Sequence, residues 1–170
     1  LEIIHQPLDR LGLNIYTGTY VRAADNQRGY EFLDFRENYP RLHMPWLWML
    51  PEALYWAVRH TSETLGRSEL PIVISENGCA APDMPNPQGE VLDLERILYL
   101  RQYLKALHRA VEEGYPVQGY FLWSLLDNFE WSWGYDRRFG ITYIDYKTQK
   151  RIPKASFRWY QECIRQNRVV

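Results

Sequence analysis

An α/β fold with a parallel sheet is expected of this chain, on three observations. Apolar runs of strand length alternate with longer segments of helical period, the pattern of successive βα units. One such run, Leu70-Pro71-Ile72-Val73-Ile74-Ser75-Glu76-Asn77-Gly78, stays apolar for longer than a half-exposed strand would, which suits a strand covered on both faces. It also ends in a carboxylate, followed by a Gly expected to let the backbone turn away, and parallel barrels present reactive groups at the C-terminal ends of their strands. Glu76 is therefore the first catalytic candidate.

The first strand spans about Leu11 to Tyr16, a short apolar run closed by polar residues and Gly18. An irregular polar and aromatic segment follows. Pro51 then opens a helix that runs to Leu65 and is stopped by Gly66, a Pro-first, Gly-last arrangement. The second strand, Ile72 to Ser75, leads into a loop rich in Pro and Gly from Cys79 to Gly89. A helix from about Asp93 repeats Ile97, Leu100, Leu104, Leu107 and Val111 at alternating three- and four-residue spacing, and Gly114 ends it.

The third strand is Val117 to Ser124, and the long segment after it carries Asp127-Asn128-Phe129-Glu130-Trp131. Ile141 to Tyr146 alternates like a short strand, and Lys147-Thr148-Gln149-Lys150 reads as a turn into Arg151-Ile152, so a β-excursion is expected. A last helix starts near Pro153, with Phe157, Tyr160 and Ile164 on one stripe. No internal repeat beyond the βα alternation, low-complexity segment or linker divides the 170 residues, which read as part of one domain.

Three βα units do not close a barrel, since a (β/α)₈ or TIM barrel takes eight strands and about 250 residues. The expected architecture is thus a partial TIM barrel. Alone, its strands would expose an apolar face and open edges. The missing N-terminal units are expected upstream in the natural chain or on a separate polypeptide, and the absence of an initial Met agrees with a start that is not the natural one.

A hydrophobic content of 46% supports a real core, and a net charge of −1 without an aromatic-basic stripe argues against nucleic acid as a partner. Arg137-Arg138 and Lys147 to Arg151 read as solvated loop charges. No stretch resembles a membrane span and Leu1-Glu2-Ile3-Ile4 is not a signal sequence, so no membrane is expected and the location is expected to be cytoplasmic. Cys79 and Cys163 lack metal-ligand spacing and read as buried thiols; the histidines at 5, 43, 60 and 108 show no HExxH-like pairing. No metal or other cofactor is expected. Seven Trp and thirteen Tyr help bring aromatics to 15%, which fits either stacking on sugar rings or core packing.

Ile74-Ser75-Glu76-Asn77-Gly78 resembles the (I/V)-(T/S)-E-N-G motif of glycoside hydrolase family 1, and Trp123-Ser124-Leu125-Leu126-Asp127-Asn128-Phe129-Glu130-Trp131 resembles its sugar-binding signature. The likeness runs from Leu11-Gly12-Leu13-Asn14-Ile15-Tyr16 to Ile152-Pro153-Lys154-Ala155-Ser156 and corresponds to the family's last three barrel strands. It implies a retaining β-glycosidase. In such an enzyme one carboxylate attacks the anomeric carbon while a second carboxyl, about 5–5.5 Å away, acts as acid and then base.

The resemblance makes Glu76 the nucleophile and Tyr16 the residue that hydrogen-bonds and orients it. Asn14, two residues before Tyr16 on the same strand, has either a direct role on the sugar or a structural partner. Trp123 corresponds to the platform under the glycone, Glu130 and Trp131 to the groups that bind its hydroxyls, and Phe139 to an aromatic beside it. Trp46 or Trp48 corresponds to the tryptophan facing the aglycone, with Trp46 the candidate. Glu130 stands where the branch acting on 6-phosphorylated sugars has Ser, so a neutral, glucose-like glycone is expected.

The family's acid/base belongs to an Asn-Glu-Pro motif that does not occur here, and neither Glu37-Asn38 nor Glu52 replaces it. The expected function is hydrolysis of β-glucosides, active only with the N-terminal portion of the barrel. Its rivals are a non-catalytic carbohydrate-binding or scaffold protein that keeps the glycone pocket, and a small independent domain that reuses three βα units.

Overall fold

In the computed structural model, which describes residues 3, 6–66 and 69–170, the elements follow in a fixed order. They are β1 (Leu11–Asn14), β2 (Tyr20–Ala23), β3 (Tyr30–Leu33), α1 (Glu52–Leu65), β4 (Ile72–Asn77), α2 (Leu94–Glu112), β5 (Val117–Leu122), a 3₁₀ turn (Trp131–Trp133), β6 (Thr142–Ile144), β7 (Arg151–Pro153) and α3 (Ala155–Gln166). Leu1, Glu2, Ile4 and His5, which entered the sequence reading, lie outside the described residues.

Strands β1, β4 and β5 form a parallel sheet in that spatial order, with α1 and α2 as the crossovers. Pro51 immediately precedes α1, and Gly66 ends it with φ of 61°, the left-handed conformation that Gly adopts at no steric cost. The core lies between sheet and helices: Ile72 and Ile74 of β4 pack with Leu54, Tyr55 and Val58 of α1 and with Tyr99, Leu100, Tyr103 and Leu107 of α2. The opposite face of the sheet is open at Gly12, Asn14, Ser75 and Phe121, and Phe121 is 63% exposed. Strand β4, expected to be covered on both faces, is covered on its helix face only among the described residues.

Other expectations need correction. The buried residues of α2 are Arg96, Tyr99, Leu100, Tyr103, Leu107 and Ala110, so Leu100 and Leu107 of the expected stripe are buried, while Val111 is 47% exposed. Counting only aliphatic residues missed the tyrosines, whose rings are buried because their hydroxyls find partners: Tyr99 and Tyr103 both donate to the carbonyl of Tyr16, at 2.6 and 2.9 Å. On α3, Ile164 is exposed and the buried positions are Ser156 and Cys163. The segment between β1 and α1, read as irregular, contains the β2–β3 hairpin; β2 is exposed throughout and so lacks the apolar alternation that marks a strand.

The connections after β4 and β5 are locked together by buried charge. Lys154, at the start of α3 and fully buried, donates to Asp83 Oδ2 at 2.5 Å, Asp127 Oδ1 at 2.8 Å and the Gly140 carbonyl at 2.6 Å. Arg96 of α2 pairs with Asp93, donates to Asp83 at 2.6 Å, and reaches the carbonyls of Cys79 and Arg138. Arg138 completes the set on Asp127 at 2.7 Å, so it is not the solvated charge expected from sequence. Arg96, Arg138 and Lys154 thus balance Asp83, Asp93 and Asp127, the condition under which charge tolerates burial. The surroundings act on single groups as well: burial holds Lys154 below the ordinary lysine range and pushes the Cys79 thiol up to about 12.

Replacing Lys154 with Met leaves Asp83 and Asp127 without one of their buried cations. The expected loss is about 3–5 kcal/mol of unfolding free energy, read from urea denaturation. A variant as stable as the parent would show that the network is neutral to stability.

Candidate active site

The sheet geometry at the end of β4 decides what faces the site. Strict alternation would place Glu76 with Ile72 and Ile74 in the helix layer. Instead the pairing of β4 with both neighbours shifts register near this end, between Leu13 and Asn14 on β1 and between Ile74 and Asn77 on β4. Asn77 turns into the core, where it donates to the Ile15 carbonyl at 2.7 Å and accepts from Tyr120 at 2.6 Å. Glu76 is left facing a cavity of about 490 Å³.

Asn14, Tyr16, Trp46, Glu76, Trp123, Glu130, Trp131 and Phe139, the side chains singled out in sequence, all line that cavity. Tyr16 follows β1, and its hydroxyl donates to Glu76 Oε2 at 2.7 Å. Its phenol is pushed well above the ordinary tyrosine range, first by burial and then by the hydrogen bond and charge of Glu76 and the charge of Glu130. At neutral pH Tyr16 is therefore a donor to Glu76. Its ring is fixed edge-on by Trp46 at 5.9 Å and Phe139 at 6.1 Å, and its carbonyl by the two α2 tyrosines. Asn14 accepts from Ser75 Oγ at 2.7 Å, a structural partner that leaves it on the cavity wall.

Gly78 was expected to supply a turn, but its backbone is not in the left-handed region. Its requirement is space. A Cβ there would lie 1.8 Å from the Trp123 carbonyl oxygen, so only Gly lets the exits of β4 and β5 approach this closely. Trp123 N–H donates to the Asn77 carbonyl at 2.8 Å, and Trp123 joins Ser124 through a cis peptide. The chain then loops out and returns at Phe139, whose carbonyl accepts from Ser124. Gly140, next to it, is pressed on the backbone of Leu126 and Asp127 and donates to Asp127 Oδ1 at 3.0 Å. The buried network beneath thus fixes both ends of the loop that carries Glu130.

Glu130 caps a tight turn in which its N–H donates to the Gly134 carbonyl and Trp133 N–H donates to its own, both at 2.7 Å. Its carboxyl is raised above the ordinary glutamate range, mainly by burial and further by the charge of Glu76. Trp131 is 82% exposed on this turn. Of the two candidate tryptophans before α1, Trp48 stacks on Phe35 at 4.7 Å under Arg41 and lies outside the cavity lining, whereas Trp46 is part of it. Glu37 and Glu52 are exposed and outside it too. Met44, Ser132 and Trp133 complete the wall. They escaped the sequence reading, although Trp133 lies in the same aromatic run as Trp131.

Among the described residues no group of three His, Cys, Asp or Glu side chains is arranged to hold a metal ion, and no helix is long and apolar enough to cross a membrane. Both cysteines are free and buried.

The profile of glycosyl hydrolase family 1 matches residues 1–169. The chain belongs to that family. Among family 1 relatives, the 1,4-beta-D-glucan glucohydrolase of Thermotoga neapolitana is 43% identical over 168 residues, covering 98% of this chain and 37% of the relative. The bifunctional beta-D-glucosidase/beta-D-fucosidase of Bifidobacterium breve is 41% identical, covering 96% and 38% respectively. The solved beta-glucosidase from Thermotoga maritima in complex with deoxynojirimycin superposes with a TM-score of 0.88 at 38% identity, covering 99% of this chain and 37% of that one. The α/β fold therefore matches part of a family 1 TIM barrel, and the chain spans somewhat over a third of the length of these relatives.

The electrostatics of the cavity give a measurable expectation. A ¹³C NMR titration should find the Glu130 carboxyl ionising above the ordinary glutamate value, and Glu76→Gln should move it down without restoring that value, because burial is the larger cause. A Glu130 that titrates normally in the parent, or does not respond to Glu76→Gln, would contradict the shared-cavity electrostatics.

Proposed function

We propose that this chain is the C-terminal portion of a retaining β-glycosidase barrel, its last three βα units, that acts on neutral glucose-like β-glycosides. The observation that carries the reading is the 2.7 Å hydrogen bond from Tyr16 to Glu76 on the wall of an aromatic cavity. A phenol that stays protonated keeps the carboxylate oriented and leaves its other oxygen to attack the anomeric carbon. Attack forms a covalent glycosyl-enzyme and releases the leaving group, which takes a proton from the second carboxyl; water then attacks, gives its proton back to that carboxyl, and frees Glu76.

In this reading the acid/base lies outside the chain, on the complementary portion of the barrel that also covers the open face of the sheet. Trp123 stacks under the glycone, and Glu130 and Trp131 bind its hydroxyls, with Phe139 and Asn14 completing that side and Trp46 facing the aglycone. A carboxylate accepts from two adjacent hydroxyls at once and repels a sugar phosphate, which supports a neutral glycone. The names of the relatives, two beta-glucosidases and a glucan glucohydrolase, support the β-glucoside class.

The test is hydrolysis of a chromogenic β-glucoside by the chain with and without the complementary portion. Turnover is expected only in the assembly, and Glu76→Gln should lower it by at least about 10⁴-fold. Tyr16→Phe, which removes one hydrogen bond to a charged group, should cost about 10- to 100-fold in kcat/KM. An active Glu76→Gln variant would overturn the assignment, and an assembly that binds glucosides without turnover would establish the carbohydrate-binding alternative.

A further inference from the structure

Trp133 lines the cavity, yet the reading above leaves it without a task. Its ring is not free. The Arg137 guanidinium lies over one face, 4.4 Å from the ring centroid, in a cation–π contact. Arg137 is held in turn by its Nη1, 3.2 Å from His43 Nε2. A guanidinium can only donate, so this nitrogen of His43 is the acceptor in the contact. The His43 backbone N–H donates to the Ala80 carbonyl at 3.3 Å, which anchors that residue to the loop after β4. His43 also begins the short segment that continues through Met44, a cavity residue only 2% exposed, to Trp46. The clamp therefore ties Trp133, from the loop after β5, to the wall that carries Trp46.

A flat ring held from behind before any ligand arrives offers its remaining surface at little ordering cost, and indole surfaces favour the C–H face of a sugar or an aryl ring. With the anomeric carbon placed at Glu76, the glycone between Trp123 and Glu130, and Trp46 facing the group that departs, the tie between Trp133 and the wall that carries Trp46 points to that same group as the one Trp133 meets.

We propose that Trp133 is a stacking platform for a ring-shaped leaving group, a pyranose or an aryl ring, and that Arg137, held by His43, positions it. This rests on the assignment of Glu76 to glycosyl transfer. Trp133 selects among aglycones, and Arg137 acts only through it.

The experiment uses the chain assembled with its complementary barrel portion and compares 4-nitrophenyl β-glucoside and cellobiose with methyl β-glucoside. Trp133→Ala should lower kcat/KM for the two ring aglycones about tenfold more than for the methyl glycoside. Arg137→Met should show the same selective loss in weaker form, with Arg137→Lys restoring it. Hydrolysis of the glucosyl-enzyme, common to all three substrates, should keep its rate in both Arg137 variants. Losses equal across the three substrates, or none, would overturn the proposal. Should the parent assembly fail to turn over, or Glu76→Gln remain active, the glycosidase reading is what fails. The same ratio is then read from calorimetric dissociation constants for phenyl and methyl β-glucosides, and an unchanged ratio in Trp133→Ala overturns the platform independently.

Discussion

The buried ion network around Lys154 is the constraint on which the site depends. Its members come from the loop after β4, the first turn of α2, the loop after β5 and the start of α3. All of these charges but the partly exposed Arg138 are desolvated, and those are tolerable only while their partners are in place. Pairing of this kind adds little net stability compared with an apolar core, but it penalises every arrangement that separates the partners. Here it holds Asp127 against Gly140 and Ile144 and so brings Phe139 back beside Tyr16.

Above that floor the cavity is electrostatically one-sided. Glu76 and Glu130 share it, and no Lys or Arg belongs to its lining among the described residues. Both the raised Glu130 carboxyl and the raised Tyr16 phenol carry the charge of Glu76 among their causes. The proposed chemistry makes use of such a site. Neutral hydroxyls are donors that relieve the crowding, and the oxocarbenium-like charge that grows at the anomeric carbon is attracted by the same carboxylates.

The tyrosines of α2 link this site to the hydrophobic core. Tyr99 and Tyr103 stack at 3.9 Å and end on the Tyr16 carbonyl, and Tyr99 accepts from Asn77, the residue after Glu76. Core packing and site geometry are thus one arrangement. A helix that appears in sequence as an aliphatic stripe also buries two phenols, whose hydroxyls end on a backbone acceptor of the site.

The alternation of βα units, the helix boundaries marked by Pro51 and Gly66, and the residues that gather at the strand ends were legible in sequence, because periodicity and motif spacing are local properties. The family was legible for the same reason. Several things were not. The exposed β2–β3 hairpin has no apolar alternation to betray it, and the paired state of Arg138 arises from contacts across long separations. Trp46 and Trp48 are told apart by their tertiary partners, Tyr16 for the first and Phe35, Tyr39 and Arg41 for the second. Most telling is Glu76 itself: side-chain alternation would have buried it in the helix layer, and only the register shifts against β1 and β5 turn Asn77 into the core and leave Glu76 facing the cavity. Sequence by itself determined which residues stand at the strand end, whereas tertiary structure decided which of them faces the cavity, because register is set by neighbouring strands rather than by the strand's own residues.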